Sequence, residues 1–269
     1  MQSNPKFWPY FKDAIGAIDG THIPVVPPSH TAAAFRNCKG FLSQNCLFIC
    51  DFDLFFKYAL TGWEGSASDS RVYDNALSWD LNIPEGKYLL ADLGYPSRPT
   101  LLVPYRGTRY HLAEWGRASV RYASFYFFLR LLIPFSPENK EELFNLRHAS
   151  LRNAIERIFS ILKKRFRILL LGPKYPIDIQ VRIPLALAAL YNFIHLHESN
   201  DAGEEDSDSE DGAGDGAGDN WNTNHDDFGY EDRGGLRDKI ATEMWADYLT
   251  FRHTHDMTDS DNDSGDDHM

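Results

Sequence analysis

Ala14-Ile15-Gly16-Ala17-Ile18-Asp19-Gly20 is a short apolar run that ends in an acid and a glycine. It reads as a buried strand carrying a carboxylate at its end. The pattern recurs at Lys87-Tyr88-Leu89-Leu90-Ala91-Asp92-Leu93-Gly94-Tyr95-Pro96, again apolar strand, acid, glycine and then a breaker. Between them, Asn45-Cys46-Leu47-Phe48-Ile49-Cys50 and Leu54-Phe55-Phe56-Lys57-Tyr58-Ala59-Leu60 flank Asp51-Phe52-Asp53 and predict an antiparallel hairpin. Ser68 or Asp69 can N-cap a helix through Leu77, and Thr100-Leu101-Leu102-Val103-Pro104 adds a short strand. The second half turns helical. Leu143, Leu146, Leu151, Ile155, Ile158, Phe159, Leu162 and Phe166 recur at helical spacing within Lys140 to Arg167, and Ile183 to His197 reads as a buried apolar helix. Strands first, then helices packing on them, place the chain in the α/β class.

Composition narrows the partners. The chain has 269 residues, 43% of them hydrophobic, enough for a well-buried core. Its net charge of −12 is unevenly spread: residues 201–269 hold 22 Asp/Glu against four Lys/Arg, so residues 1–200 are net basic at +6. A basic body with an acidic tail keeps nucleic acid open as a partner. No uninterrupted apolar run approaches the roughly 20 residues of a membrane span, so a membrane is not an expected partner. Met1-Gln2-Ser3-Asn4-Pro5 lacks the layout of a secretory signal, and three cysteines do not make a disulfide scaffold.

Residues 199–232 are Asp, Glu, Gly, Ser and Asn with little apolar content, and they read as disordered. In 233–252, Ile240, Met244, Trp245, Tyr248 and Leu249 fall at helical spacing and predict a short amphipathic helix that docks on the body. The acidic end, 253–269, reads as disordered again. The tail has three readings: a solubilising terminus, a binder of basic proteins, or a competitor of DNA for the basic body.

Three acids stand out by context: Asp19 and Asp92 at strand ends, and Glu156 in a basic helix. If they converge, they can hold two Mg²⁺ or Mn²⁺ ions, because hard divalent cations prefer carboxylate oxygens. Two such ions can activate a water or a 3′-hydroxyl and stabilise the departing oxygen in phosphodiester cleavage. Turn capping is the competing use of a strand-end Asp. Arg147, His148, Arg152, Arg157, Lys163, Lys164, Arg165 and Arg167 flank the glutamate. They read as phosphate contacts giving salt-sensitive DNA binding, or else as a solvated helix face on which Arg152 or Arg157 pairs with Glu156. Cys38, Cys46 and Cys50 lack metal-ligand spacing and read as buried thiols. His22 is a substrate contact or a structural hydrogen-bonding partner.

Four motifs in order now resemble one known group. They are Ile15-Gly16-Ala17-Ile18-Asp19-Gly20-Thr21-His22-Ile23, Gly62-Trp63-Glu64-Gly65-Ser66-Ala67-Ser68-Asp69-Ser70-Arg71, Ala91-Asp92-Leu93-Gly94-Tyr95-Pro96, and Asn145-Leu146-Arg147-His148 through Ile155-Glu156-Arg157 to Lys163-Lys164-Arg165-Phe166. Over about residues 5–198 the chain resembles the PIF/Harbinger transposases and their domesticated HARBI1-like nuclease relatives. The resemblance implies an RNase H-like domain, a mixed sheet flanked by helices, with a DDE metal-dependent nuclease site. It implies Asp19, Asp92 and Glu156 as catalytic acids. It also implies Asp69 as a further metal ligand, with a helix N-cap as its alternative. DNA as substrate, a Myb/SANT-like accessory protein and a nuclear site of action (with presence in the cytoplasm) follow from the same resemblance.

Two departures from the pattern matter. Only 18 residues precede Asp19, where the family carries a helix-turn-helix region, so the chain is expected to be truncated or to depend on a partner for DNA targeting. Asp92 and Glu156 lie 64 positions apart, further than the resemblance implies, and the apolar-aromatic stretch 122–136 reads as an insertion or translated intron between them. Metal-dependent DNA cleavage is the leading reading. The alternative is an inactive domesticated or decaying copy that binds DNA or chromatin proteins.

Overall fold

The computed structural model describes residues 4–109, 137–201 and 234–261. The stretch 122–136 and most of the acidic tail (202–233 and 262–269) lie outside the described residues. Strands are β1 (Ala14–Pro24), β2 (Ser43–Cys50), β3 (Phe56–Glu64), β4 (Tyr88–Leu90) and β5 (Leu101–Leu102). Helices are α1 (Asp69–Trp79), α2 (Lys140–Arg165), α3 (Ile177–Gln180), α4 (Ile183–Asp201) and α5 (Gly234–Asp261), with a 3-10 turn at Arg167–Leu170. The chain forms two compact units whose described parts are 13–103 with 151–201, and 4–12 with 104–109, 137–150 and 234–261.

The larger unit is an α/β layer structure built on one mixed sheet in the order β3-β2-β1-β4-β5. The β1–β2 and β2–β3 pairs are antiparallel; β1–β4 and β4–β5 are parallel. The β2–β3 hairpin closes on Asp51, whose Oδ1 accepts the Asp53 N–H (3.0 Å) and the Phe55 N–H (2.9 Å), while Leu54 takes the left-handed conformation (φ 63°). Period-2 alternation puts Ala17, Cys46, Phe48 and Cys50 on one face, packed with Ile155, Ile158, Phe159 and Leu162 of α2. Ile18, Leu47, Ile49, Leu89 and Leu101 face the other way, against Val72, Tyr73 and Ala76 of α1. β2 is therefore covered on both sides and all eight of its residues are buried.

Helix α4 departs from expectation. Ala188 and Tyr191 join the core and Asn192 Nδ2 donates to the Phe56 carbonyl (2.8 Å), but Leu185, Phe193 and Leu196 are 49%, 61% and 53% exposed. An apolar run reports total hydropathy, not how many sides are covered. Among the described residues, Ile177–Glu198 is long and apolar enough to cross a bilayer by length and composition alone. Its Tyr191 and Asn192 instead hold it to the sheet.

In the smaller unit, Phe144 packs on Phe11 and Tyr105, with ring centroids 5.9 and 5.4 Å away. Helix α5 buries Ile240, Ala241 and Met244, and its Asp238 and Asp247 accept hydrogen bonds from the Tyr105 and Tyr10 hydroxyls. The helix runs to Asp261, past the expected stop at 252, because no proline or glycine interrupts it there.

Candidate active site

β1 and β4 determine where the two aspartates meet. Ala17 pairs with Leu90 in the parallel register, and Asp19 and Asp92 each lie two residues further along. The parallel pairing thus stops two residues short of both acids, and the charge of Asp92 acts on Asp19 across that short gap. Asp19 is not a strand end, as its motif predicted: β1 continues to Pro24, paired with β2 through Ser43. Only β4 stops, at Leu90. The candidate site lies where this pairing ends, at the carboxyl end of the parallel pair, where α/β sheets place ligands.

Each acid is held by a different device. Asp19 Oδ1 accepts the Gly20 N–H (2.9 Å), and Oδ2 accepts Arg152 Nη1 (3.1 Å). Asp92 Oδ1 accepts the Gly94 N–H (2.9 Å), so this carboxylate does close a turn while facing the site. Asp69 is the first residue of α1, and the N-cap position belongs to Ser68, whose hydroxyl caps no backbone N–H. Asp69 Oδ1 instead accepts Asn45 Nδ2 at 2.7 Å, and the same Nδ2 donates to the Ala67 carbonyl at 3.0 Å. Glu156, half-exposed on α2, binds Arg152 one turn earlier.

The electrostatics tie the four acids together. Burial first, then the fields of Asp92, Asp69 and Glu156, push the Asp19 carboxyl up to about 7 against the lowering effect of Arg152. Burial also raises Asp69, and Asp92 adds to that rise. Tyr95 is fully buried, its hydroxyl has no hydrogen-bond partner, and burial plus Asp69, Asp19 and Asp92 raise it well above its ordinary value. Asn45 Oδ1 is likewise buried and unpartnered. Concentrated anionic oxygens beside orphaned polar atoms have the donor chemistry that a hard divalent cation requires. Among the described residues, however, no three Asp, Glu, His or Cys side chains stand close enough to hold an ion as they are placed. A guanidinium lies between Asp19 and Glu156 instead.

The basic residues expected on a DNA face are distributed differently. Arg152 is 7% exposed and engaged with Asp19 and Glu156, so it does not belong to a solvated face. Lys163 is half-buried, its Nζ donating to Thr21 Oγ1 at 2.8 Å, and burial lowers its pKa. Arg165 pairs with Glu198 at 2.6 Å. Arg157 and Lys164 are exposed. Arg147 belongs to the smaller unit, its guanidinium 5.3 Å from the Tyr10 ring.

His22 Nδ1 lies 3.0 Å from Ser43 Oγ, a structural bond, and burial followed by Lys39 and Lys163 lowers its pKa. Cys46 and Cys50 are buried with thiols pushed up to about 12 by burial, whereas Cys38 is exposed. Sequence reading missed Asn45. Its signal is the polar run Ser43-Gln44-Asn45 opening an apolar strand.

Residues 18–192 match the family described as DDE superfamily endonuclease. The chain belongs to that family. Asp19, Asp69, Asp92 and Glu156 all fall within the matched span. The relatives named "Putative nuclease HARBI1" are 27% identical over 158 residues in Homo sapiens, covering 58% of this chain and 37% of the relative. In Xenopus laevis identity is 25% over 201 residues, 72% of this chain and 50% of the relative. "Protein ALP1-like" of Arabidopsis thaliana is 28% identical over 175 residues, 57% of this chain and 36% of the relative. The chain thus spans a third to a half of the length of these relatives. No solved structure matches it.

Proposed function

We propose that this chain is a divalent-metal-dependent DNA endonuclease of transposase descent, hydrolysing phosphodiester bonds at Asp19, Asp92 and Glu156. One observation supports the reading: Asp19 and Asp92 each follow the last β1–β4 pair by two residues, and Arg152 bridges Asp19 to Glu156. The mixed sheet flanked by helices agrees with an RNase H-like domain.

In this reading Asp19, Asp92 and Glu156 hold Mg²⁺ or Mn²⁺, with Asp69 as a further ligand. Bound divalent ions supply an activated nucleophile and positive charge facing the leaving oxygen. The chain's own part is positional. Asn45 fixes Asp69, the Gly20 N–H orients Asp19, and the Gly94 N–H orients Asp92. Arg157 and Lys164 offer exposed positive charge to flanking phosphates. Water is the nucleophile in hydrolysis; a freed 3′-hydroxyl takes its place in strand transfer. Nuclear action and a Myb/SANT-like partner belong to this proposal through the resemblance alone.

Supercoiled DNA incubated with Mn²⁺ or Mg²⁺ and the purified chain tests the reading. Nicking by the wild type that Asp92→Asn abolishes supports catalysis. Equal nicking by both proteins, or none by either, leaves the second reading, a DNA- or chromatin-binding module, which the separation of the carboxylates favours.

A further inference from the structure

Arg152 occupies an unusual place for a basic residue of a DNA-cleaving helix. Its guanidinium is buried within the site, with Nη1 3.1 Å from Asp19 Oδ2 and Nη2 on Glu156 Oε1. Asp19 Oδ1 accepts the Gly20 N–H at 2.9 Å, so the two oxygens of this carboxylate are both engaged, and Arg152 holds the one turned toward Glu156. Arg152 thus occupies oxygens that Asp19 and Glu156 would otherwise offer to a divalent ion. Two carboxylates brought this close repel, and one planar fork with two outward N–H edges neutralises both at once. Removing that fork from a buried site leaves uncompensated negative charge.

We infer that Arg152 is a positioning residue, a resident counter-cation that holds Asp19 and Glu156 together in the ion-free protein and that a divalent ion displaces from their oxygens. This rests on the reading that these two acids hold an ion, and it goes further by naming what holds them when none is bound. Competition for shared oxygens has a consequence that a plain phosphate contact lacks: weakening the guanidinium strengthens the ion. It also makes Glu156, the more exposed of the two acids, dependent on Arg152 for its direction. The helix places the pair four residues apart, on one face and one turn.

The test measures Mn²⁺ binding by calorimetry and thermal melting of the full chain with and without MnCl₂, for wild type, Arg152→Met and Arg152→Lys, in the absence of DNA. Arg152→Met is expected to melt lower without ion and to bind Mn²⁺ roughly tenfold more tightly, the scale of one charge-assisted hydrogen bond. Its melting temperature should also rise more on adding Mn²⁺ than that of the wild type. Arg152→Lys, a point charge unable to bridge both acids, should shift in the same direction by less, and it carries the test alone if Arg152→Met does not fold. Mn²⁺ binding that is measurable in the wild type and unchanged or weakened in both variants overturns the inference and leaves the metal site standing. Absence of Mn²⁺ binding in all three proteins overturns both.

Discussion

Gly20 shows how one residue can admit a functional group. A Cβ placed there would lie 2.1 Å from Asp69 Oδ1, so only glycine lets the Asp69 carboxylate rest against β1 beside Asp19. The obstacle is a side chain and not backbone, so the fold can yield where the site cannot. Gly20→Ala is expected to keep a cooperative melt near that of the wild type and to lose roughly a hundredfold in nicking rate, the cost of misplacing a group by about 1 Å. His22 offers a pH readout. Burial lowers its pKa, so the unfolded chain binds the proton more readily than the folded one. Its contribution to stability is present above the ordinary histidine pKa and lost as pH falls through the depressed folded value. Melting temperature should fall on acidification from neutral pH, and His22→Gln should flatten that slope. A midpoint whose pH slope is unchanged by the substitution would refute the assignment.

At the scale of elements, sheet register is the controlling quantity. Gly16 stands at the irregularity between Ala14 and Gly16 in the β1–β4 pairing, and a Cβ there would lie 2.1 Å from the Cys50 carbonyl oxygen. Backbone cannot swing aside as the Asp69 side chain can. Gly16→Ala is therefore expected to destabilise by about 2–3 kcal/mol, read by urea unfolding. The hairpin depends on Asp51, which accepts two backbone N–H groups and pairs with Lys57 at 2.8 Å. Asp51→Ala should cost about 1–2 kcal/mol by the same measurement, because Leu54 must hold its left-handed conformation without those bonds. This hairpin is legible in the sequence from Asp51 and its two flanking β-rich runs. The exposed side of α4 is not: Leu185 and Phe193 look in sequence like any core residue, and only the extent of the sheet beneath them limits what is covered. The end of β1 is hidden for a related reason. Asp19 marks where one neighbour, β4, leaves the sheet, while β2 continues alongside.

For the whole molecule, charge decides how the proposed DNA binding responds to salt. The basic body and acidic tail are plain in composition, but burial removes some of the bases from solvent. Arg152 and Lys163 are held at the site and Arg165 pairs with Glu198, while Arg157 and Lys164 lie exposed on α2. Replacing Arg157 and Lys164 together by Gln should lower the slope of log affinity against log salt by about 2, one for each phosphate no longer neutralised. An unaltered slope would place the DNA elsewhere. By itself, the sequence determined where the main strands and helices lie, the recurrence of acid and glycine after apolar runs, and three candidate acids. These are properties of neighbours along the chain, carried by periods of 2 and 3.6 and by local turn chemistry. Only the tertiary structure decided that the charge of Asp92 reaches Asp19, that Asn45 claims Asp69, and that Arg152 faces inward to two carboxylates. Such pairings join residues up to 133 positions apart. They depend on strand order and on which face of a helix meets the sheet, and no local pattern encodes either.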